Sequence, residues 1–390
     1  MKYLFILPSL TVGGSTTSFI ALYQQIREDP NLDIRAIALS HDDYKDFPYK
    51  EILLPEQHVI TAAYLKLSQA HGYWKWHSII IRLLNRVSSF LHTGFKEWCY
   101  KKIVRKIERK NSFDCIIGFQ EGMSCQIASY FSNPNKIAWI HCDYQNIYSD
   151  QDSTSLLMYS AFRKVVCVSK YTAYTFSLLF PTLKDRIVTI YNLLDGDRVS
   201  ELSALDTADE KFKSNEGSFI IVSAGRLVPL KRFSEIPRIV SDLHKKGCKV
   251  KWYILGPSND SSEEKCLVDN IARYNVEDDV IWLGKKSNPY PYFKASNLLV
   301  CLSTSEACPM IFNEAKILHL PIISTNFGSA TEFINEGENG IICPIEDIAD
   351  TIAKVYRDKD LYGRLVRSEY DFRSYNNTIL NNVKNLLVSR

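Results

Sequence analysis

Short, largely apolar runs alternate with longer stretches of helical period along almost the whole chain. The first half holds six such runs: Tyr3–Leu7, Ile34–Leu39, Cys115–Gly118, Ile137–Ile140, Val165–Val168 and Ile187–Ile190. Six more follow in the second half: Phe219–Ala224, Val250–Leu255, Val280–Leu283, Leu298–Cys301, Ile322–Ser324 and Gly340–Ile342. Thr16–Arg27, Phe233–Lys246, Ser262–Tyr274 and Ile345–Arg357 read as helices between them. Strands without alternation, separated by helices, belong to parallel sheets covered on both faces.

The alternation lapses over Leu194–Gly217, which is polar and acidic (Asp195, Asp197, Asp206, Asp209, Glu210, Glu216) and holds no strand-like run. This is the expected domain boundary. The fold class is α/β, with two doubly wound, Rossmann-like domains expected to face each other across a cleft. The expected units are residues 1–195, a linker over 196–217, residues 218–365, and a last segment over 366–390. Ligands in such folds bind at the carboxyl ends of the strands.

Composition narrows the class. The chain has 390 residues, 46% hydrophobic, with 16 Gly and 14 Pro, which excludes collagen-like and disordered chains. With 47 Lys+Arg against 44 Asp+Glu the net charge is +3, and no nucleic-acid partner is implied. Ten cysteines are scattered without a C-x-x-C pair, several inside apolar runs, and are expected as reduced buried thiols of a cytoplasmic protein. MKYLFILPSL resembles a short signal peptide, but its apolar run stops at Pro8, and it is read as the first buried strand. No apolar run approaches the ~18 residues that a membrane span requires.

The near-neutral total conceals a polarised stretch. Residues 64–110 carry eleven Lys/Arg against Glu97 and Glu108, a balance of +9, so the rest of the chain sums to −6. Trp74, Trp76, Phe90, Phe95 and Trp98 are interleaved with the charges, and Ile80, Leu84, Val87 and Leu91 recur at helical spacing. Two readings stand. Lys101, Lys102, Arg105 and Lys106 form a surface for an anionic membrane, or the helix packs on its sheet with solvated lysines outside.

Candidate chemistry follows the strand ends. Gly225 lets the chain turn sharply after Phe219–Ala224, placing Arg226 and Lys231 at the carboxyl edge of the sheet. A guanidinium and an ammonium side by side suit a diphosphate, although a solvated basic loop has the same composition. After Leu298–Cys301, Pro309 is expected at the first position of a helix running to about His319. The N–H groups of Met310 and Ile311 would then form a phosphate cradle between Glu306 and Glu314, whose carboxylates accept from sugar hydroxyls. The alternative makes Glu306 a helix-dipole partner and Glu314 a surface residue. His141 ends the strand Ile137–Ile140, and Asp143 either orients its ring or caps the next segment. A metal cluster of His141, Cys142 and Asp143 is disfavoured, because neighbours on an extended segment point in opposite directions.

These segments together resemble the GT-B glycosyltransferases of family 4. The resemblance rests on S-x-G-R-L-x-x-x-K at Ser223–Lys231, E-x7-E from Glu306 to Glu314, and Leu320–Cys343 after it. Upstream it rests on Lys136–Tyr144, Val165–Lys170, Thr189–Asp195 and the pair Gly13-Gly14. FQEG at Phe119–Gly122 followed by WIHCDY is similar to the bacterial enzymes that build capsular, exo- or O-antigen polysaccharides. The resemblance implies a retaining hexosyltransferase that needs no metal or other cofactor. Its donor would be a UDP-sugar, with a GDP-sugar as the alternative, and its acceptor a glycan, lipid-linked or free. Arg226 and Lys231 would bind the diphosphate, Glu314 the ribose, Glu306 the transferred sugar, and His141 would lie at the anomeric centre. Gly13 and Gly14 would admit phosphates and acceptor to the first, acceptor-side domain, and the last segment would pack back on that domain. A membrane-bound acceptor would place the protein on the inner face of the cell membrane.

The sequence departs from that family in two places. Ser15, Thr16 and Thr17 follow the glycine pair where an acidic residue is usual, and Ala307 replaces the glycine after Glu306. Neither a P-loop nor a G-x-G-x-x-G fingerprint is present, against NTPase and NAD chemistry. Two other functions use the same frame: a nucleotide-sugar epimerase, which needs no acceptor, and a non-catalytic nucleotide- or glycan-binding protein.

Overall fold

The computed structural model describes residues 1–10, 14–39, 47–55, 97–147, 153–206, 209, 212, 217–258 and 260–388. Gly13 and residues 64–96 of the basic stretch lie outside the described residues.

The chain divides into two compact units. One comprises Met1–Leu193 with Ile379–Arg390, the other Leu194–Thr378. The first unit is built on a parallel sheet of β1 (Lys2–Leu7), β2 (Asp33–Ala38), β3 (Cys115–Gly118), β4 (Lys136–Ile140), β5 (Lys164–Cys167) and β6 (Ile187–Thr189). Their spatial order is β2-β1-β3-β4-β5-β6. The second holds β7 (Phe219–Ala224), β8 (Val250–Leu255), β9 (Val280–Gly284), β10 (Leu298–Cys301), β11 (Ile322–Thr325) and β12 (Gly340–Cys343), ordered β12-β11-β10-β7-β8-β9. All pairings in both sheets are parallel. Each of the twelve apolar runs is a strand. In the central strands almost every side chain is buried: β1 and β3 leave only Lys2 partly open.

In both sheets the order reverses once, between β1 and β3 and between β7 and β10. The loops leaving these neighbouring strands diverge to opposite faces and leave a crevice at the carboxyl edge. In the first unit the crevice is bordered by the start of the Gly14–Ile26 helix and by Phe119–Gly122. In the second it is bordered by Gly225–Lys231 and Leu302–Pro309. Both sets carry the polar residues singled out above.

Three expectations need correction. The stretch expected as a linker opens with a helix, Gly196–Ser203, whose N-terminus is capped by Asp195 accepting from the Arg198 N–H at 3.2 Å. Acidic Asp195 and Asp197 are capping and first-turn residues there, not linker filler. Pro309 is the N-cap and not the first helical residue, so that helix spans Met310–Ile317. It stops before His319, whose left-handed backbone (φ 52°) turns the chain into β11. The helices expected from Phe233 and Ile345 each begin with a 3₁₀ turn, Phe233–Glu235 and Ile345–Asp347.

The helical residues 97–110 bury Tyr100, Val104 and Ile107 in the core of the first unit, a face of i, i+4, i+7 spacing. Each such side chain contributes about 1.5–3 kcal/mol by leaving water. Lys101, Lys102, Arg105, Lys106, Arg109 and Lys110 are exposed, as is Trp98. The two readings of this segment are therefore compatible: it packs on its sheet and presents a basic outer face. The helix Phe372–Val388 begins in the second unit and ends in the first, where Tyr3 Oη donates to the Leu387 carbonyl at 3.2 Å. All ten cysteines are free, and seven are buried.

Candidate active site

In the second unit, backbone crowding comes first. A Cβ built on Gly256 would lie 1.8 Å from the Gly225 carbonyl oxygen, and Gly225 itself has φ +152°. Only glycines let the ends of β7 and β8 approach this closely. Ser223 ties the same strands together: buried Trp252 Nε1 donates to its Oγ at 3.0 Å, and the hydroxyl donates to the Val300 carbonyl at 2.6 Å. The serine of the S-x-G-R run is thus a strut.

This strut sets the basic loop. Arg226 is exposed, directly beyond the crossing. Lys231 folds back and forms an ion pair with Glu306 across the switch point, and the Thr304 N–H donates to the Leu230 carbonyl at 2.9 Å. Glu306 is held from two further sides. Ser303 Oγ donates to its Oε1 at 2.7 Å, and Ser329 Oγ donates to its backbone carbonyl at 2.7 Å. Burial opposes the charge on Lys231, but the carboxylate of Glu306 outweighs it and holds the ammonium above its ordinary value. Lys231 therefore keeps its charge out of bulk water.

Glu314 lies in the Met310–Ile317 helix, where burial pushes its carboxyl up to about 7. Tyr290 Oη donates to Glu314 Oε1 at 3.4 Å, partly offsetting the burial. Burial and this carboxylate raise the Tyr290 phenol well above its ordinary range. Tyr290 had no part in the sequence reading; an aromatic run, NPYPYF, beyond the end of β9 was its only signal. Met310 and Ile311 head the helix, where no intrahelical acceptor exists for their N–H groups. Arg226, Lys231, Glu306, Glu314, Met310 and Ile311 all belong to this unit.

His141, Gly14 and the basic face of 97–110 belong to the first. The His141 ring packs against Phe119 at 4.8 Å and stacks near Trp139 at 6.4 Å. Its Nε2 is buried without a hydrogen-bond partner among the described residues, and burial lowers the imidazole to about 3. Burial thus favours the neutral form of the ring at physiological pH. Asp143 accepts from the Asn146 side chain (Nδ2) at 2.7 Å, and its backbone carbonyl accepts from the Asn146 and Ile147 N–H groups at the head of the short helix Tyr144–Ile147. The carboxylate bonded to His141 is Glu121: its Oε2 accepts from the His141 backbone N–H at 2.8 Å.

Two parallel six-stranded sheets, each with polar residues gathered at its own switch point, are the GT-B fold. Residues 206–371 match the family described as Glycosyl transferases group 1. The N-acetyl-alpha-D-glucosaminyl L-malate synthase of Bacillus anthracis is 24% identical over 186 residues, 46% of this chain and 46% of that protein. The capsular polysaccharide biosynthesis glycosyltransferase CapM of Staphylococcus aureus is 28% identical over 162 residues, 39% of this chain and 41% of its own. The match thus spans less than half the length of these curated relatives. The fold is shared more widely: the structure of Anabaena HepE in complex with UDP superposes with a TM-score of 0.70 at 16% identity, covering 98% of this chain and 100% of that one.

Proposed function

We propose that this protein is a retaining, metal-independent glycosyltransferase, moving a hexose from a UDP-sugar to a growing, lipid-linked bacterial surface glycan. The observation that carries the reading is the Lys231–Glu306 ion pair across the switch point, with Arg226 exposed in the same loop and Glu314 on the helix that follows Glu306. Two cations meet the diphosphate there and stabilise the departing nucleotide. Incoming phosphate oxygens would compete with Glu306 for Lys231, and the freed carboxylate would accept from hydroxyls of the transferred sugar. Glu314 accepts from the ribose, and neutral His141 contacts the sugar near its anomeric carbon. HepE supports UDP as the carrier, being described with UDP and with UDP-glucose, and CapM supports a capsular acceptor.

The test offers UDP-glucose, UDP-galactose, UDP-N-acetylglucosamine and GDP-mannose with a polyprenyl-diphosphate-linked glycan. Nucleotide release and the anomeric coupling of the product are read by NMR. An α-linked product from an α-linked donor is expected. Hexose isomerisation without acceptor would instead identify an epimerase, and binding without turnover of any donor would identify a binding protein.

The same reading puts a cytoplasmic enzyme on the inner face of the membrane through residues 97–110. Lys102 Nζ lies 5.0 Å from the ring of exposed Trp98, an aromatic–cation pair suited to a headgroup layer. No helix among the described residues is long and apolar enough to cross a membrane. At about 1 kcal/mol per basic residue near an anionic surface, losing four attractions weakens vesicle binding on the order of a thousandfold, so reversing Lys101, Lys102, Arg105 and Lys106 to glutamate should weaken it by at least that much. Flotation with phosphatidylglycerol vesicles measures this; equal recovery of both proteins would overturn the membrane role.

A further inference from the structure

β3 and β4 stop pairing at Gly118 and Ala138. The His141 N–H, three residues further on, donates not to a β3 carbonyl but to the side chain of Glu121 at 2.8 Å. Glu121 is itself buried, with 9% of its surface exposed, and forms no ion pair among the described residues. Its other donors are its own backbone N–H, the Cys142 thiol and, at 3.4 Å, Gln120 Nε2. Gln120 Oε1 accepts in turn from Ser15 Oγ at 2.8 Å, in the first turn of the Gly14–Ile26 helix. A hydrogen-bonded chain, Ser15–Gln120–Glu121–His141, thus joins the turns that follow β1, β3 and β4.

A buried carboxyl is a costly acceptor for these donors, of which the His141 N–H is the one main-chain group from another turn. Burial pushes its titration above the ordinary carboxylate range, and a carbonyl or asparagine would serve the backbone with less desolvation. The adjoining Gly122 (φ 71°, ψ −129°) occupies a conformation open to glycine, turning the chain so that Glu121 remains inside. We propose that Glu121 is a positioning residue: through the backbone of His141 it sets the imidazole relative to the start of the Gly14–Ile26 helix. Glu121 acts through His141, so the inference rests on the reading of His141 as a group that contacts the reacting sugar. The glutamine-serine half of the chain extends the same register to the first turn of that helix, where the sequence carries Ser15 in place of an acid.

The experiment compares Glu121→Ala, Glu121→Gln, His141→Ala and the Glu121→Ala/His141→Ala pair. Turnover is nucleotide diphosphate release from UDP-glucose, UDP-galactose or GDP-mannose, whichever the wild type uses best. Glu121→Ala should lower kcat by about 10–100-fold, the effect of a misplaced group near 1 Å, with donor KM within about threefold. Glu121→Gln retains an acceptor oxygen and should stay within about threefold of wild type. Hydrogen exchange at the His141 amide should accelerate at least tenfold or so in Glu121→Ala and not in Glu121→Gln. The pair should be no slower than His141→Ala alone. Should Glu121→Ala fail to fold, Glu121→Asp, one methylene short, replaces it. Additive losses, an unchanged His141 amide, or a Glu121→Gln variant as slow as Glu121→Ala would overturn the positioning role alone. Wild-type turnover by His141→Ala would overturn the underlying reading of His141, and the inference with it.

Discussion

Replacing Arg226 and Lys231 together by alanine should lower kcat/KM for the nucleotide sugar by about 10²–10⁴-fold. Each removes a charge-assisted contact to the diphosphate, worth about 1.5–3 kcal/mol. The two single changes should separate. Arg226 is exposed and pairs with no side chain among the described residues, so Arg226→Ala should leave thermal stability unchanged while donor use falls. Lys231 is the partner of Glu306, and its loss strands a carboxylate held by Ser303 in a partly buried site. Lys231→Ala should therefore also lower Tm, and Lys231→Ala/Glu306→Gln should recover stability without recovering turnover. Steady-state kinetics, calorimetric titration with UDP and thermal melts report the three quantities. Transfer at the wild-type rate by the folded double alanine variant would falsify the phosphate assignment.

The strands were legible because a strand buried on both faces is built largely from apolar residues, and several of the runs stop at a glycine or proline, as at Pro8, Gly225, Gly256 and Gly284. The Gly196–Ser203 helix was not, because eight residues with only Val199 and Leu202 apolar, and with Asp195, Asp197 and Glu201 among or beside them, read as loop; the cap at Asp195 that stabilises it is visible only once its N–H partner is placed. The cationic loop and the E-x7-E glutamates could be read from composition at strand ends, yet their pairing could not. Lys231 and Glu306 are 75 residues apart and meet because β7 and β10 are neighbours at the strand-order reversal. Glu121 is harder still. It stands outside every strand, its partner is a backbone N–H 20 residues away, and only the β3–β4 register brings them together. An acid lodged between the apolar run Cys115–Phe119 and a glycine was the available signal. Topology, not residue type, decided which polar side chains meet.

Glu314 offers a test in which affinity and stability should move in opposite directions. Its carboxyl titrates at about 7 in the folded protein and near 4.5 in the unfolded chain. The folded state therefore binds more protons between those values, and stability falls as pH rises through them. The penalty is absent below about pH 4.5 and complete above about pH 7. Because Glu314 is only half-buried by accessible surface, roughly 1–2 kcal/mol is a fitting magnitude at pH 8. Glu314→Gln should raise Tm there by about 2–6 °C and do little near pH 4.5. The ribose should respond with the opposite sign: its hydroxyls donate best to the ionised carboxylate, so wild-type affinity should strengthen as pH rises toward 8. UDP-glucose is the proper ligand, since its diphosphate has no proton to take up across pH 5.5–8. Glu314→Gln should bind it about 10–100-fold more weakly than wild type at pH 8, with the gap narrowing toward pH 5.5. Titrations of both proteins across this range decide the matter. Parallel affinity curves would place the ribose elsewhere, and a Tm gain without an affinity loss would make Glu314 a buried acid with no ligand to hold.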